Sequence, residues 1–309
     1  MKTVGFMEFG GPDVLGVHHR PDPHPGAGEV RIRVRAAAVN PTDVSRRTGL
    51  FSVGDAQPPH IPGTDAAGVI DELGPGSTWQ LGDQVMGLAI PLSEHGGAYA
   101  EYLVAPDDSI ARIPANTSLE QAATLPMNGL TATQILDLTA LRPGQSLAVT
   151  GAAGMVGNYL VQLAKLRGLI VIADAAPKDR ALVESLGPDH VIDRGDDLAA
   201  RIRALFPDGV DAVADTALLH EQVVPALRDG GVFASLRRWP GEPIRGIRYR
   251  PVWVYDEYRS PAKLDALRQA VEDGALTPRL AGVLPAENAA QAHRRLEAGG
   301  ARGRTVLTF

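Results

Sequence analysis

Apolar and polar positions keep two different rhythms along this chain. From residue 1 to about 116 the apolar residues fall in short runs. In EVRIRVRAAAVN, Arg31, Arg33 and Arg35 alternate with Ile32 and Val34, the two-residue period of a strand with one wet face. AAGVIDELGPG, GDQVMGL and AYAEYLVAP read as further strands between Gly and Pro turn signals. From about Leu119 onward, Ala- and Leu-rich stretches alternate with short β-branched runs, the pattern of strand–helix–strand units around a parallel sheet. The predicted order is a strand at SLAVT, a helix over 154–167, a strand at LIVIA, a helix at KDRALVESLG and a strand at HVID. A helix at DLAARIRALF, a strand at VDAVADT, a helix through EQVVPALRDGG and a strand at VFASL follow. After about Tyr258 come a helix, a short strand, the helix ENAAQAHRRLEAGG and a last strand, RTVLTF, which either extends the second sheet or returns to the first half. The expectation is an α/β protein whose second half is a doubly wound sheet, with ligands at the carboxyl ends of its strands.

Composition narrows the function classes. The 309 residues are 44% hydrophobic and 21% charged, the balance of an ordinary globular chain of two domains. A net charge of -6 leaves no surplus of cations for nucleic acid. No apolar run reaches the roughly 18 to 20 residues of a membrane span, and the first residues, MKTVGFMEFGG, lack the apolar stretch of a signal peptide; a cytoplasmic protein without a membrane partner is expected. Cysteine is absent, which removes disulfides, thiolate nucleophiles and zinc sites with thiolate ligands. His18, His19 and His24 sit among Pro and Gly without helical spacing, so a surface loop is expected there rather than a metal site.

The glycine-rich stretch GAAGMVG has Gly151, Gly154 and Gly157, with Ala153 where the strictest dinucleotide fingerprint has a glycine. Its surroundings fit: an apolar strand before, an amphipathic helix after, and Asp174 at the end of the next strand, seventeen residues beyond Gly157. Such a turn lets backbone N–H groups approach a pyrophosphate at a helix N-terminus. Residues 151–157, namely Gly151, Ala152, Ala153, Gly154, Met155, Val156 and Gly157, are therefore candidates for cofactor binding. An acid at Asp174 favours the ribose hydroxyls of NAD, whereas Lys178, Arg180 and Arg194 are placed to meet the 2′-phosphate of NADP. These residues leave the two cofactors open.

Three stretches, AVNPTDVSRRTG, PHIPGTDAAGVIDELGPG and AATLPMNGLTATQILDL followed by the glycine turn, resemble in this order the medium-chain dehydrogenase/reductase superfamily. The branch they resemble is that of the zinc-independent quinone oxidoreductases, zeta-crystallin included. The resemblance implies a GroES-like β-rich catalytic domain over 1–117 and 259–309, and a Rossmann-type cofactor domain over 118–258. Where zinc-dependent relatives carry a Gly-His-Glu stretch and a catalytic cysteine, this chain has Thr64, Asp65 and no cysteine, so no zinc is expected. The resemblance further implies NADP(H) as cofactor, with NAD(H) not excluded, and an activated double bond or a quinone as electrophile. Asn128, Thr131, residues 151–157, Asp174, Lys178 and Arg194 match the cofactor-binding positions. Arg194 replaces a tyrosine that meets the adenosine phosphate in relatives, and a guanidinium suits a phosphate. Asp174 stands one residue before the family's ribose-binding acid.

Asn40 and Asp43 match the Asn and Asp of an N-P-x-D stretch that lines the catalytic cleft, and are the candidate catalytic residues; the same stretch is also a turn and helix-start signal. The family's two nearby tyrosines fall on Ser45 and Phe51. Tyr99 and Tyr102 alternate with small apolar residues as core or sheet-edge positions do, and His95 beside two glycines reads as a loop residue. RRWPGEPIRGIRYRPVWVY reads as a cofactor-side loop followed by a strand that in relatives pairs two subunits, so a homodimer is expected. An enoyl-thioester reductase and a non-catalytic nucleotide-binding protein are the alternative readings.

Overall fold

The computed structural model describes residues 1–54 and 57–309. The chain forms two compact units: Met1–Met127 with Tyr258–Gly274 and Pro278–Phe309, and Asn128–Glu257 with Ala275–Thr277. No helix among the described residues is long and apolar enough to cross a membrane.

The first unit holds β1 (Lys2–Gly5), β2 (Gly16–His19), β3 (Glu29–Ala38), α1 (Pro41–Arg47), β4 (Asp65–Leu73), β5 (Gln84–Leu88), β6 (Tyr102–Pro106), β7 (Ile110–Arg112) and α2 (Leu119–Ala122). β3 buries Val30, Ile32 and Val34 and turns the intervening arginines outward, as its alternation requires. It is the hub of a seven-stranded sheet, pairing antiparallel with β4, β6 and the C-terminal strand. β1 and β2 pair separately, so His18 and His19 lie on a strand and not on the expected surface loop. There the chain returns along β1, and cross-strand bonding overrides the Pro- and Gly-rich flanks. α2 packs on β3, β4 and β5, which carries the unit past residue 117.

The second unit begins inside α3 (Pro126–Thr139), at Asn128, and continues with β8 (Ser146–Thr150), α4 (Met155–Leu166), β9 (Ile170–Ala175), α5 (Arg180–Glu184), β10 (His190–Asp193), α6 (Leu198–Leu205), β11 (Val210–Asp215), β12 (Leu227–Ser235) and β13 (Arg248–Pro251). All six strands are parallel, in the order β10-β9-β8-β11-β12-β13. This is the doubly wound arrangement, whose order reverses between β8 and β11. The helix expected through EQVVPALRDGG does not form. Two 3-10 turns, His220–Gln222 and Val224–Ala226, precede β12, which already starts at Leu227. Pro225 lacks an N–H, and Gly230 takes φ 68, so the helical period in that stretch finds no continuous backbone ladder. The helix at KDRALVESLG is likewise shortened, with Pro177–Asp179 forming a 3-10 turn before α5.

The chain then adds α7 (Pro261–Glu272), β14 (Leu280–Pro285), α8 (Ala289–Ala298) and β15 (Arg304–Thr308). β15 pairs antiparallel with β3. The last strand therefore returns to the first sheet, which resolves the alternative left open by its sequence.

Candidate active site

In the second unit the glycine turn joins β8 to α4, with Gly154 as N-cap. Gly157 is demanded by packing, since a Cβ there would stand 2.4 Å from the carbonyl oxygen of Gly151. At Gly154 a Cβ would meet only that same oxygen, at 3.1 Å. Apart from that one tight contact with the Gly151 carbonyl, no protein atom stands within 4 Å of the Cβ position at Gly154, and the N–H groups of the first turn of α4 face outward from a helix start. That is the geometry of an anion cradle, and the residues fit a dinucleotide's pyrophosphate.

Asp174 is buried, and its carboxylate turns back beneath the turn. It accepts the N–H of Gly151 at 2.6 Å and of Ala152 at 3.2 Å, and Arg194 donates to it through Nε at 2.7 Å and Nη2 at 3.3 Å. Asp174 and Arg194 therefore form one bidentate pair that holds the turn. Lys178 is exposed at the start of the next helical segment. Arg180 is held by Asp193 and Glu184. Asn128 and Thr131 lie buried on α3.

Thr150 and Asp215, at neighbouring strand ends, were not marked by any motif. Thr150 Oγ1 donates to Asp215 at 2.7 Å, and the other side of that carboxylate accepts the N–H of His220 at 2.8 Å. Both follow short apolar runs, Leu147–Val149 and Ala212–Ala214, where the polar residue closing a parallel strand is the only sequence signal.

Asn40 and Asp43 lie in the first unit at the start of α1. Asp43 Oδ2 accepts the N–H of Asn40 at 2.8 Å, the reciprocal half of a capping box. Its Oδ1 accepts the N–H of Gly63 at 3.0 Å and the hydroxyl of Thr64 at 3.3 Å. Asn40 turns its amide to Asp65 at 2.7 Å, and Asp65 also accepts the N–H of Met127 at 2.6 Å. Burial pushes the Asp43 carboxyl up to about 6 and the Asp65 carboxyl up to about 7, against the donors each accepts.

Two more groups join this cluster across long stretches of sequence. The Tyr99 hydroxyl lies 3.4 Å from Asp43 and 3.1 Å from His293 Nε2 on α8. Burial pushes His293 down to about 3 and raises the Tyr99 phenol well above its usual range. Tyr99 is core, as its alternation implied, but it carries a buried polar contact. Tyr102 is half-buried under the guanidinium of Arg31, and His95 pairs with Glu94 in a loop.

A GroES-like β sheet and a doubly wound sheet with a glycine turn define the class of nucleotide-dependent dehydrogenases and reductases. Residues 26–115 match the family model of the alcohol dehydrogenase GroES-like domain, and residues 186–307 that of the zinc-binding dehydrogenases. The chain is 32% identical to the chloroplastic NADPH-dependent alkenal/one oxidoreductase of Arabidopsis thaliana, over 99% of this chain and 79% of that one. It is 31% identical to a quinone oxidoreductase of Mus musculus, over 99% and 97% of the two chains. A solved structure described as an NAD-dependent alcohol dehydrogenase superposes with a TM-score of 0.89 at 33% identity, covering 100% of both chains. The chain belongs to the medium-chain dehydrogenase/reductase superfamily, with quinone and alkenal oxidoreductases among its relatives.

Proposed function

We propose that this protein is an NADPH-dependent, zinc-independent reductase of quinones or of double bonds conjugated to a carbonyl. The observation that carries the reading is the start of α4, where packing demands Gly157, while at Gly154 a Cβ would meet a single protein atom, the Gly151 carbonyl oxygen at 3.1 Å. Bound there, the dinucleotide supplies a hydride from its nicotinamide ring. Residues 151–157 hold its pyrophosphate, Asp174 and Arg194 keep the turn in shape, and Lys178 meets the 2′-phosphate. The NADPH and quinone or alkenal chemistry in the relatives' names supports the same choice.

The donor set at Thr64 and Asp65 does not fit zinc. The hydroxyl is directed to Asp43, the carboxylate already accepts Asn40 and Met127, and there is no thiolate in the chain. Asn40 and Asp43 serve here as positioning residues that fix α1 and the Gly63–Thr64 backbone. Calorimetric titration with NADPH and NADH, followed by NADPH oxidation with a quinone and with an alkenal, tests the proposal. Tight NADPH binding with turnover of either electrophile is expected. Binding of neither nucleotide would return the glycine turn to a structural corner, and binding without turnover would favour a non-catalytic nucleotide-binding protein.

A further inference from the structure

The carboxyl ends of β8, β11 and β12 stand in one row, with Thr150 level with Asp215 and Asp215 level with Ser235. In a doubly wound sheet the adenosine half of a dinucleotide lies over the strand after the glycine turn, here β9. The reacting half then runs the other way, over β11 and β12. Strands lie about 4.8 Å apart, so Ser235 is about 10 Å from Thr150 along that direction.

The loops leaving this side carry an unusual backbone. Of the six non-glycine residues with positive φ among the described residues, four are Leu218, His220, Arg237 and Arg238, with φ of 61°, 51°, 58° and 58°. Such residues resist this region, and held there they mark positions fixed by their surroundings. The fixing groups are visible. Asp215 accepts the N–H groups of Leu219 and His220. The Trp239 indole stacks on His220 at 4.8 Å and meets Phe233 and Tyr249 edge-on, while Ser235 Oγ donates to the Trp239 carbonyl at 2.9 Å. Trp239 is thereby wedged into the unit, and the two residues before it are left exposed.

Those residues are Arg237 and Arg238. Arg238 lies over the Trp253 ring at 4.5 Å, and neither guanidinium has an acid partner among the described residues. Residues 236–250 hold five arginines against one glutamate, in a chain of net charge -6. An ordinary solvated loop needs neither consecutive left-handed arginines nor an aromatic wedge to hold them.

We propose that Arg237 and Arg238 recognise an oxyanionic group, a carboxylate or a phosphate, carried by the hydride acceptor. Among the quinones and conjugated double bonds of the reductase reading, on which this inference rests, those that also carry an acid group are then the preferred substrates. Planar guanidiniums match either oxyanion through paired N–H donors, and a loop already fixed loses little freedom on binding.

The test is calorimetry on the NADP⁺-saturated protein with cinnamate, with its neutral isostere cinnamamide, and with inorganic phosphate as competitor. Cinnamate is expected to bind at least tenfold tighter than the amide, and Arg237→Ala with Arg238→Ala to abolish that preference at unchanged NADPH affinity. Arg237→Gly, which suits a left-handed backbone, keeps the melting temperature at or above that of the parent while weakening cinnamate severalfold, separating recognition from folding. Efficient displacement of cinnamate by phosphate would point to a phosphate-bearing acceptor, and weak displacement to a carboxylate. Equal binding of acid and amide, or a preference that survives the double substitution, would overturn the proposal. So would a loss of NADPH affinity in the double variant, which would assign the loop to the cofactor. Failure of the reductase reading would show separately, as no NADPH oxidation with any electrophile while the cinnamate preference persists.

Discussion

Gly154 and Gly157 stand one helical turn apart and are glycine for different reasons. At Gly157 an added Cβ would strike backbone at 2.4 Å, so Gly157→Ala is expected to destabilise the protein by about 1–3 kcal/mol, the usual cost of overpacking, in a denaturant melt. Gly154→Val meets only the Gly151 carbonyl, at 3.1 Å from its Cβ, and is expected to cost about 1–2 kcal/mol in the melt while abolishing calorimetric binding of NADPH. Retained affinity in that variant would remove the cradle. Lys178 and Arg194 separate in the same way. Arg194 is committed to Asp174, so Arg194→Ala loosens the turn and weakens NADPH and NADH alike. Lys178→Ala should weaken NADPH about tenfold, on the order of 1.4 kcal/mol, and leave NADH unchanged; equal losses for both nucleotides would take Lys178 out of the phosphate contact.

At the scale of elements, α1, the strand β4 and α8 are tied through Asp43, Asp65, Tyr99 and His293, and this cluster sets a pH dependence. Asp43 and Asp65 titrate near 6 and 7 in the fold against 3.8 unfolded. Between pH 4 and 6 the fold therefore holds protons that the unfolded chain has released, and each carboxyl makes stability fall as pH rises. His293 acts oppositely, titrating near 3 in the fold against 6.5 unfolded, so its contribution grows with pH through the same window. Removing one such group changes the slope by about 1.4 kcal/mol per pH unit. Relative to the parent protein, Asp65→Asn should gain stability at about that rate from pH 4 to 6, and His293→Gln should lose it at the same rate. Denaturant melts at half-unit steps check both signs, and parallel profiles would mean that these groups keep ordinary pKa values in the fold.

At the scale of the whole molecule, β13 is the edge strand of the second sheet, four residues long, with Arg248 and Arg250 on it and Pro251 at its end. Antiparallel pairing of two copies along this edge would bring arginines together, and like charges on paired strands repel. A dimer formed there should therefore strengthen with salt. Sedimentation velocity is expected to show more dimer at 0.5 M than at 0.05 M NaCl, where the screening length falls from about 14 Å to about 4 Å. A dimer that weakens with salt would place the contact elsewhere.

Much of this architecture was legible in the chain because it rests on local periodicity. The alternation of β3 set its buried face, and the strand–helix rhythm after residue 145 marked five of the six strands of the doubly wound sheet together with the glycine turn. The helix read through EQVVPALRDGG failed because a helical spacing of apolar residues says nothing about the strand partner that Leu227 finds in Val210. Register and burial lie outside such patterns. Asp174 looked like a ribose ligand because it ends a strand at the usual distance from the turn, yet only the fold directs its carboxylate to the N–H groups of Gly151 and Ala152. Tyr99 meets residues 56 and 194 positions away, and the two arginines after β12 take a left-handed backbone beside Trp239, which packs on His220, Phe233 and Tyr249. The sequence by itself determined most of the strands and helices, and the glycine turn between β8 and α4, since those follow from neighbours within a few residues. The tertiary structure alone decided which polar groups are already engaged and which remain exposed to a ligand, since hydrogen bonding and burial depend on residues that the chain brings together only by folding.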